Sequence, residues 1–379
     1  MKKILCILAL LGLLTVQVSA VELDIGGKSA LLMDVATGTV LYENNANLQL
    51  APASVTKVMT MLLIMEAVDS GKITMEDTVT ASEAAATKGG SQIFLKVGET
   101  MSVADMLKSI AVSSANDCAC AMAEHIAGSE SAFVEMMNTR AKELGMQDTH
   151  FVNCTGLDDD PEAASHLTSA GDIAIMSREL MKHHPDIKKF TTIWMDTVRN
   201  GTFGLSNTNK LIRFYPGATG LKTGFTSGAG YCLSATAQRE GMELIAVVMG
   251  CTTSQERTNA CKAMLDYGFA NYALVSPDLT EHNTTVNVKL GKSPALSAVL
   301  GGETEMLIDK GKKSSVTTEV TLVETVTAPV TKGQILGTMT VKAGDQLLAE
   351  VPLVAAEDVL RLSWGDIFVK VLRKAAMAG

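Results

Sequence analysis

The spacing of apolar positions changes along the chain, and each change marks an element. Residues 28–42 read as strand, turn and strand: Ser29 to Met33 is apolar, Asp34 to Gly38 turns, and Thr39 to Leu41 resumes. From Val55 to Val68 the spacing is helical and the run is apolar on nearly every face, with Val58, Met59, Met61, Leu62, Leu63, Ile64 and Met65. A helix of that kind belongs in the middle of a domain. Pro52 stands where only a helix start tolerates it, and Gly71 ends the run. Helices are predicted over 103–126, 131–144 and 169–183, with a polar loop over 153–168 that holds Gly156 and Pro161. Strands over 221–225, 231–238 and 243–249 and a helix over 254–267 follow. Helices gathered around an antiparallel sheet indicate an α+β or layered α/β domain.

After about Ser276 strict alternation takes over, at Val286, Val288 and Leu290, at Val320 and Leu322, at Ile335, Met339 and Val341, and at Leu348, Val351 and Leu353. Glycines at 301–302, 333 and 344 separate these stretches, so residues 276–355 are expected to form a small, sandwich-like all-β domain. Residues 356–379 are predicted to be helical. Trp364, Ile367, Phe368, Val371, Leu372 and Ala375 fall on one stripe, with Lys370, Arg373 and Lys374 off it. The segment is too short and too charged to span a bilayer, so it is expected to lie in a membrane interface. A helix packed on its own β domain would carry the same pattern. At the other end, Lys2-Lys3, the apolar run Ile4 to Val16 and the small residues of Val18-Ser19-Ala20 form an export leader over residues 1–20. That leaves 21–275 as the first domain and places the protein outside the cytoplasm, on the outer face of the cytoplasmic membrane or secreted.

The chain has 379 residues, 47% of them hydrophobic, and a formal net charge of −9. With no basic stripe, nucleic-acid binding is excluded. Beyond the leader, Cys118, Cys120, Cys154, Cys232, Cys251 and Cys261 are irregularly spaced and lack a CxxC pair, and the six histidines show no metal spacing. The cysteines read as small core residues, and no metal or organic cofactor is expected.

Three short motifs carry chemistry. In Ser54-Val55-Thr56-Lys57 the serine and lysine share one face of a helix start. A serine hydroxyl needs a base, and Lys57 can serve if burial or a nearby cation brings its pKa well below ~10.4. Alone, this pattern is equally a helix cap with a surface lysine. In Ser114-Ala115-Asn116 a hydroxyl and an amide project from one turn between helices; the first could relay a proton and the second could bind a peptide backbone. Lys222-Thr223-Gly224 lies on a predicted strand. A strand edge there can pair with an extended peptide, Gly224 lets another backbone approach, and Lys222 adds positive charge.

In this order the motifs resemble those of the penicillin-binding proteins and serine β-lactamases. The surrounding residues resemble the low-molecular-mass D-alanyl-D-alanine carboxypeptidases: residues 51–60 around Ser54, Ser114-Ala115-Asn116-Asp117, Phe151-Val152-Asn153 with Gly156-Leu157 and His166-Leu167-Thr168, residues 220–226 with Ala229-Gly230-Tyr231, and Gly250, Arg257 and Tyr267-Gly268-Phe269. The likeness covers residues 25–275 and continues through the β domain. It implies the penicillin-binding, β-lactamase-like transpeptidase fold and removal of the terminal D-alanine from peptidoglycan pentapeptides through an acyl-enzyme. It also implies sensitivity to β-lactam antibiotics as covalent inhibitors. It assigns Ser54 as nucleophile, Lys57 as base and Ser114 as proton relay. Asn116, Lys222, Thr223, Gly224, Phe225 and Arg257 would bind substrate, with the Ser54 and Phe225 N–H groups holding the oxyanion and Arg257 meeting the terminal carboxylate. Phe225 stands where some members have histidine.

Three rival readings fit parts of the sequence. A β-lactamase of class A would need a Glu-x-x-x-Asn in the loop, which here reads Asp158-Asp159-Asp160-Pro161-Glu162-Ala163-Ala164-Ser165-His166, and would lack the β domain. A D,D-endopeptidase uses the same site but usually lacks that domain. A non-catalytic wall-binding protein would have lost Ser54 or Lys57.

Overall fold

The computed structural model describes residue 23, residues 25–159 and residues 161–377; the leader predicted over 1–20 lies outside them. The first part of the chain is organised around a five-stranded antiparallel sheet. Its order is Val40–Asn44, Ser29–Asp34, Met242–Cys251, Gly230–Arg239 and Ala218–Thr226. Alternation divides the side chains between two cores. Leu31, Met33, Ile245, Val247 and Met249 face the helices Lys57–Asp69, Val103–Ser113, Asn116–Ala127 and Ala170–His183. Leu32, Leu244, Ala246 and Val248 face the helix Ser254–Asn271. The domain is therefore layered, helices on both sides of one sheet, as the sequence pattern implied.

The helix Lys57–Asp69 is buried from Lys57 through Met65, as its all-round apolar pattern requires. The run predicted as one helix over 103–126 is two. Val103–Ser113 stops at Ser114, whose φ of +63° is left-handed, and Asn116–Ala127 starts afresh in a new direction. A left-handed residue breaks the helical ladder, and no hydropathy pattern reveals it. Short hairpins over Met195–Val198 with Phe203–Ser206, and over Thr78–Thr80 with Thr100–Ser102, were not anticipated.

The second part is one six-stranded sheet. Its strand Ala295–Leu300 pairs with Thr285–Lys289 through its first half and with Gln346–Ala355 through its second. The two halves share one core of Val286, Val288, Leu296, Met339, Val341, Val351 and Leu353. The expected boundary near 275 is interlocked: Tyr272–Val275 pairs with Met306–Asp309 of the β part, and Lys310 Nζ donates to the Phe269 carbonyl at 3.0 Å. Residues 356–363, predicted to be part of the terminal helix, instead run along the β part through the bridges Val330 to Val359 and Gly291 to Arg361. The helix itself is Trp364–Met377, with Asp366 accepting from the Ser363 N–H and hydroxyl at its start. Its apolar stripe is not covered: Trp364 is 88% exposed, and Phe368, Val371 and Leu372 are exposed as well. Among the described residues no helix is long and apolar enough to cross a membrane.

Candidate active site

Ser54 lies in a short 3-10 turn, Ala53–Thr56, that leads into the buried helix. The turn is strained at its first residue: Ala53 has a φ of +48° without being glycine. Such a conformation costs about 1–3 kcal/mol and persists only where surroundings impose it. Here they do. Thr56 Oγ1 donates to the Ala53 carbonyl at 2.8 Å. Gly156 packs so closely that a Cβ on it would lie 1.8 Å from the Ala53 carbonyl oxygen.

One turn on, Lys57 Nζ is 2.8 Å from Ser54 Oγ and donates to the Thr155 carbonyl at 2.8 Å. Lys57 is completely buried. Burial, which disfavours the ammonium, brings its pKa down to about 7. The Asp117 carboxylate, whose charge also reaches it, accepts backbone N–H groups of Ile93, Leu95 and Cys118, and among the described residues Lys57 has no ion pair. A neutral Lys57 has a lone pair to offer the Ser54 proton while an N–H stays on Thr155. The Thr155 carbonyl is held in turn by Asn153, whose Oδ1 accepts from the N–H groups of Thr155 and Gly156 at 3.1 and 2.7 Å.

The strand Ala218–Thr226 is the edge of the sheet and forms the opposite wall. Gly224 is the contact point: a Cβ there would lie 2.6 Å from the Pro52 carbonyl and 3.1 Å from the Val55 nitrogen. Lys222 is buried, and its Nζ donates to the Thr223 carbonyl at 2.9 Å. Burial first, and then the charges of Lys57 and Arg257, hold its pKa well below the usual lysine value. Thr223 Oγ1 donates to Thr208 Oγ1 at 2.7 Å. Phe225 is 54% exposed and stacks on Tyr231 with ring centroids 4.3 Å apart.

Ser114 and Asn116 are buried at the break between helices. Asn116 Nδ2 donates to the Gly89 carbonyl at 2.7 Å, and its Oδ1 has no protein partner. A Cβ on Gly90 would touch both Asn116 and Leu157, so this corner adjoins the Asn153–Leu157 loop that carries Thr155. Arg257 adjoins the edge strand Ala218–Thr226. It is buried under the ring of Tyr231, and its guanidinium donates to the carbonyls of Gly224 and Cys232 at 3.1 and 3.3 Å. It thus braces the Lys222–Gly224 strand. The structure adds Asn153, Thr155, Gly156 and Thr208 to the site. Gly156 was visible as a turn glycine; the Thr155 carbonyl has no sequence signature. All six described cysteines are buried and none is bonded to another.

Replacing Gly156 by alanine should cost roughly 3 kcal/mol or more, because the clash is with backbone that cannot turn aside. Thermal unfolding beside Gly201→Ala, where a Cβ meets nothing within 4 Å, separates the clash from the φ penalty the two glycines share.

Comparisons with known proteins agree with this arrangement. Residues 15–253 match the D-alanyl-D-alanine carboxypeptidase family, peptidase S11, and residues 275–361 match the penicillin-binding protein 5 C-terminal domain. The D-alanyl-D-alanine carboxypeptidase DacF of Bacillus subtilis is 48% identical over 345 residues, covering 89% of this chain and 87% of that one. The crystal structure of penicillin-binding protein 5 from Haemophilus influenzae superimposes with a TM-score of 0.74 at 31% identity, covering 90% of this chain and 99% of that one. Penicillin-binding protein D2 of Listeria monocytogenes, solved in an ampicillin-bound form, does so at 0.57 and 32% identity, over 65% of this chain and 99% of its own. With a partly exposed Ser54 against a buried Lys57 beside an edge strand, and with these relatives over nearly its whole length, the chain belongs to the D-alanyl-D-alanine carboxypeptidase family of low-molecular-mass penicillin-binding proteins.

Proposed function

We infer that Ser54 is the nucleophile of this serine-type D-Ala-D-Ala carboxypeptidase, and that its substrate is the terminal D-Ala–D-Ala of peptidoglycan stem peptides. The observation that carries this reading is the 2.8 Å approach of Ser54 Oγ to a lysine that is fully buried and near neutrality. Lys57 takes the Ser54 proton as the hydroxyl attacks the D-Ala carbonyl. The developing oxyanion is met by the N–H groups of Ser54 and Phe225. Ser114 relays a proton to the leaving D-alanine. Asn116, whose Oδ1 is a buried acceptor without a partner, aligns the peptide amide against the edge strand. Lys222 and Thr223 receive the terminal carboxylate, and Arg257 adds its charge while fixing the strand. Water then hydrolyses the acyl-enzyme, releasing the shortened peptide and free Ser54.

The exposed stripe of the helix Trp364–Met377 supports a second element of the reading: the protein docks on the outer face of the cytoplasmic membrane. A helix packed on its own domain would have covered Trp364 and Phe368.

Purified protein from residue 21 onward should release D-alanine from a wall pentapeptide, and Ser54→Ala should not. A labelled penicillin should map to Ser54; a label elsewhere, or one retained in Ser54→Ala, removes the assignment. Because Lys57 must be unprotonated, the acylation rate constant should rise about tenfold per pH unit below pH 7 and level off above it. A flat profile between about pH 5.5 and 8.5 is inconsistent with Lys57 as base.

Flotation with anionic liposomes tests the helix. The full mature chain should float and a form ending at Leu362 should not, while both retain activity on soluble peptide. Equal behaviour of the two forms overturns the anchor.

A further inference from the structure

The strained residue before Ser54 has a second support that the catalytic motifs do not include. His166 is 3% exposed and stands edge-on to Phe151, with ring centroids 5.6 Å apart. Its Nε2 is 2.9 Å from Thr56 Oγ1, and its Nδ1 accepts the Val152 backbone N–H at 3.2 Å. Thr56 Oγ1, itself wholly buried, lies 2.8 Å from the Ala53 carbonyl.

The protons in this chain are determined. The Val152 N–H points at Nδ1, so Nδ1 carries the lone pair and the ring proton is on Nε2. The Thr56 hydroxyl has one hydrogen. The Ala53 carbonyl can only accept, so that hydrogen goes to Ala53, and Thr56 accepts from His166 Nε2–H. All three bonds run one way: Val152 to His166, His166 to Thr56, Thr56 to Ala53.

We propose that His166 is a positioning residue for the acylation step, holding the left-handed Ala53 peptide, and with it the Ser54 hydroxyl, in line with Lys57 through Thr56. The proposal rests on Ser54 as nucleophile and adds a residue to that site. Proximity favours it. Ala53 is bonded directly to Ser54, so a shift at its carbonyl moves the reacting oxygen. Displacements near 1 Å cost about a hundredfold in rate. The electrostatic setting keeps the histidine neutral. Burial first, and then the charges of His150 and Lys57, oppose its protonation, so its pKa falls to about 4. A second ring proton would also face the Val152 N–H directly. Between about pH 6.5 and 4 the unfolded chain therefore takes up a proton at this position that the folded chain does not, and stability from His166 declines as pH falls through that window.

The test is kinetic, on the mature chain, with stopped-flow acylation by a fluorescent penicillin. His166→Leu should lower the first-order acylation constant by roughly 10- to 100-fold with little change in non-covalent affinity. Thr56→Val should do the same. The double variant should be no slower than either, because both cut one chain. His166→Gln keeps an N–H near the Nε2 position and should recover part of the rate lost in His166→Leu. Nitrogen-15 NMR of labelled histidine should show one ring fixed with its proton on Nε2 and not titrating above pH 5, lost in both His166 variants. Unchanged acylation in His166→Leu and Thr56→Val, additive losses in the double variant, or a His166 titrating near 6.5 overturns the proposal. Ser54→Ala distinguishes the two levels. If it still forms the covalent adduct, the nucleophile assignment fails; if it does not and the His166 variants acylate normally, only the positioning role fails.

Discussion

Among the described residues the buried Lys57 has no ion-pair partner, and most of the site is arranged around that fact. An ammonium at this depth would carry a desolvation penalty of several kcal/mol. Apolar side chains pack around the buried residues of the helix Lys57–Asp69, and the Asp117 carboxylate whose charge reaches Lys57 accepts backbone N–H groups instead of pairing with it. Lys57 responds by giving up its proton near neutral pH. What would be a defect in a structural core here leaves a neutral amine 2.8 Å from a hydroxyl, which is what the proposed role as base requires. The hydrophobic core thereby sets the chemistry as well as the stability, and the methionines and leucines of this helix act on the reaction through the dielectric they create.

A base of this kind is useful only if the hydroxyl is held still, and the structure does this with close backbone approaches. Gly224 brings the edge strand against Pro52 and Val55; Gly156 brings the Asn153–Leu157 loop against Ala53. Both positions exclude any side chain. Between the two walls Ser54 has little freedom, and the strain at Ala53 shows that the surroundings impose its position. Asn153 shapes the loop, the loop carbonyl of Thr155 fixes the amine, and the buried amine faces the serine.

What the sequence disclosed follows from this division. The strands of the central sheet and the buried helix were legible because alternation and helical spacing report burial, and Ser54 with Lys57 because residues three apart share a helix face. The edge strand at Lys222 was legible for similar reasons. Other features were hidden. The Thr155 carbonyl meets Lys57 across 98 positions of sequence, and any residue supplies a carbonyl. The helix break at Ser114 is a matter of one backbone angle. Arg257, which the family resemblance assigns to the terminal carboxylate, donates to two backbone carbonyls at the strand, contacts that no sequence pattern discloses. Where residues 356–363 belong was lost for another reason: their few apolar positions fit a strand or a helix equally, and pairing with Val330 and Gly291 decides it.

The charges left over define what the cleft is built to receive. Burial lowers the pKa of Lys57, Lys222 and Arg257, and the charges of Lys57 and Arg257 lower that of Lys222 further. Among the described residues none forms an ion pair with a carboxylate. Charging all three together is unfavourable, and under the proposed reading an anion entering beside Lys222 would offset that cost. A peptide ending in a free carboxylate supplies that charge, whereas an internal amide does not. Binding a chain terminus would then stabilise the ammonium of Lys222 while leaving Lys57, on the Ser54 side, free to stay neutral. The same electrostatics would favour terminal over internal peptide bonds and keep the base ready, so that selectivity and reactivity arise from one shortage of negative charge.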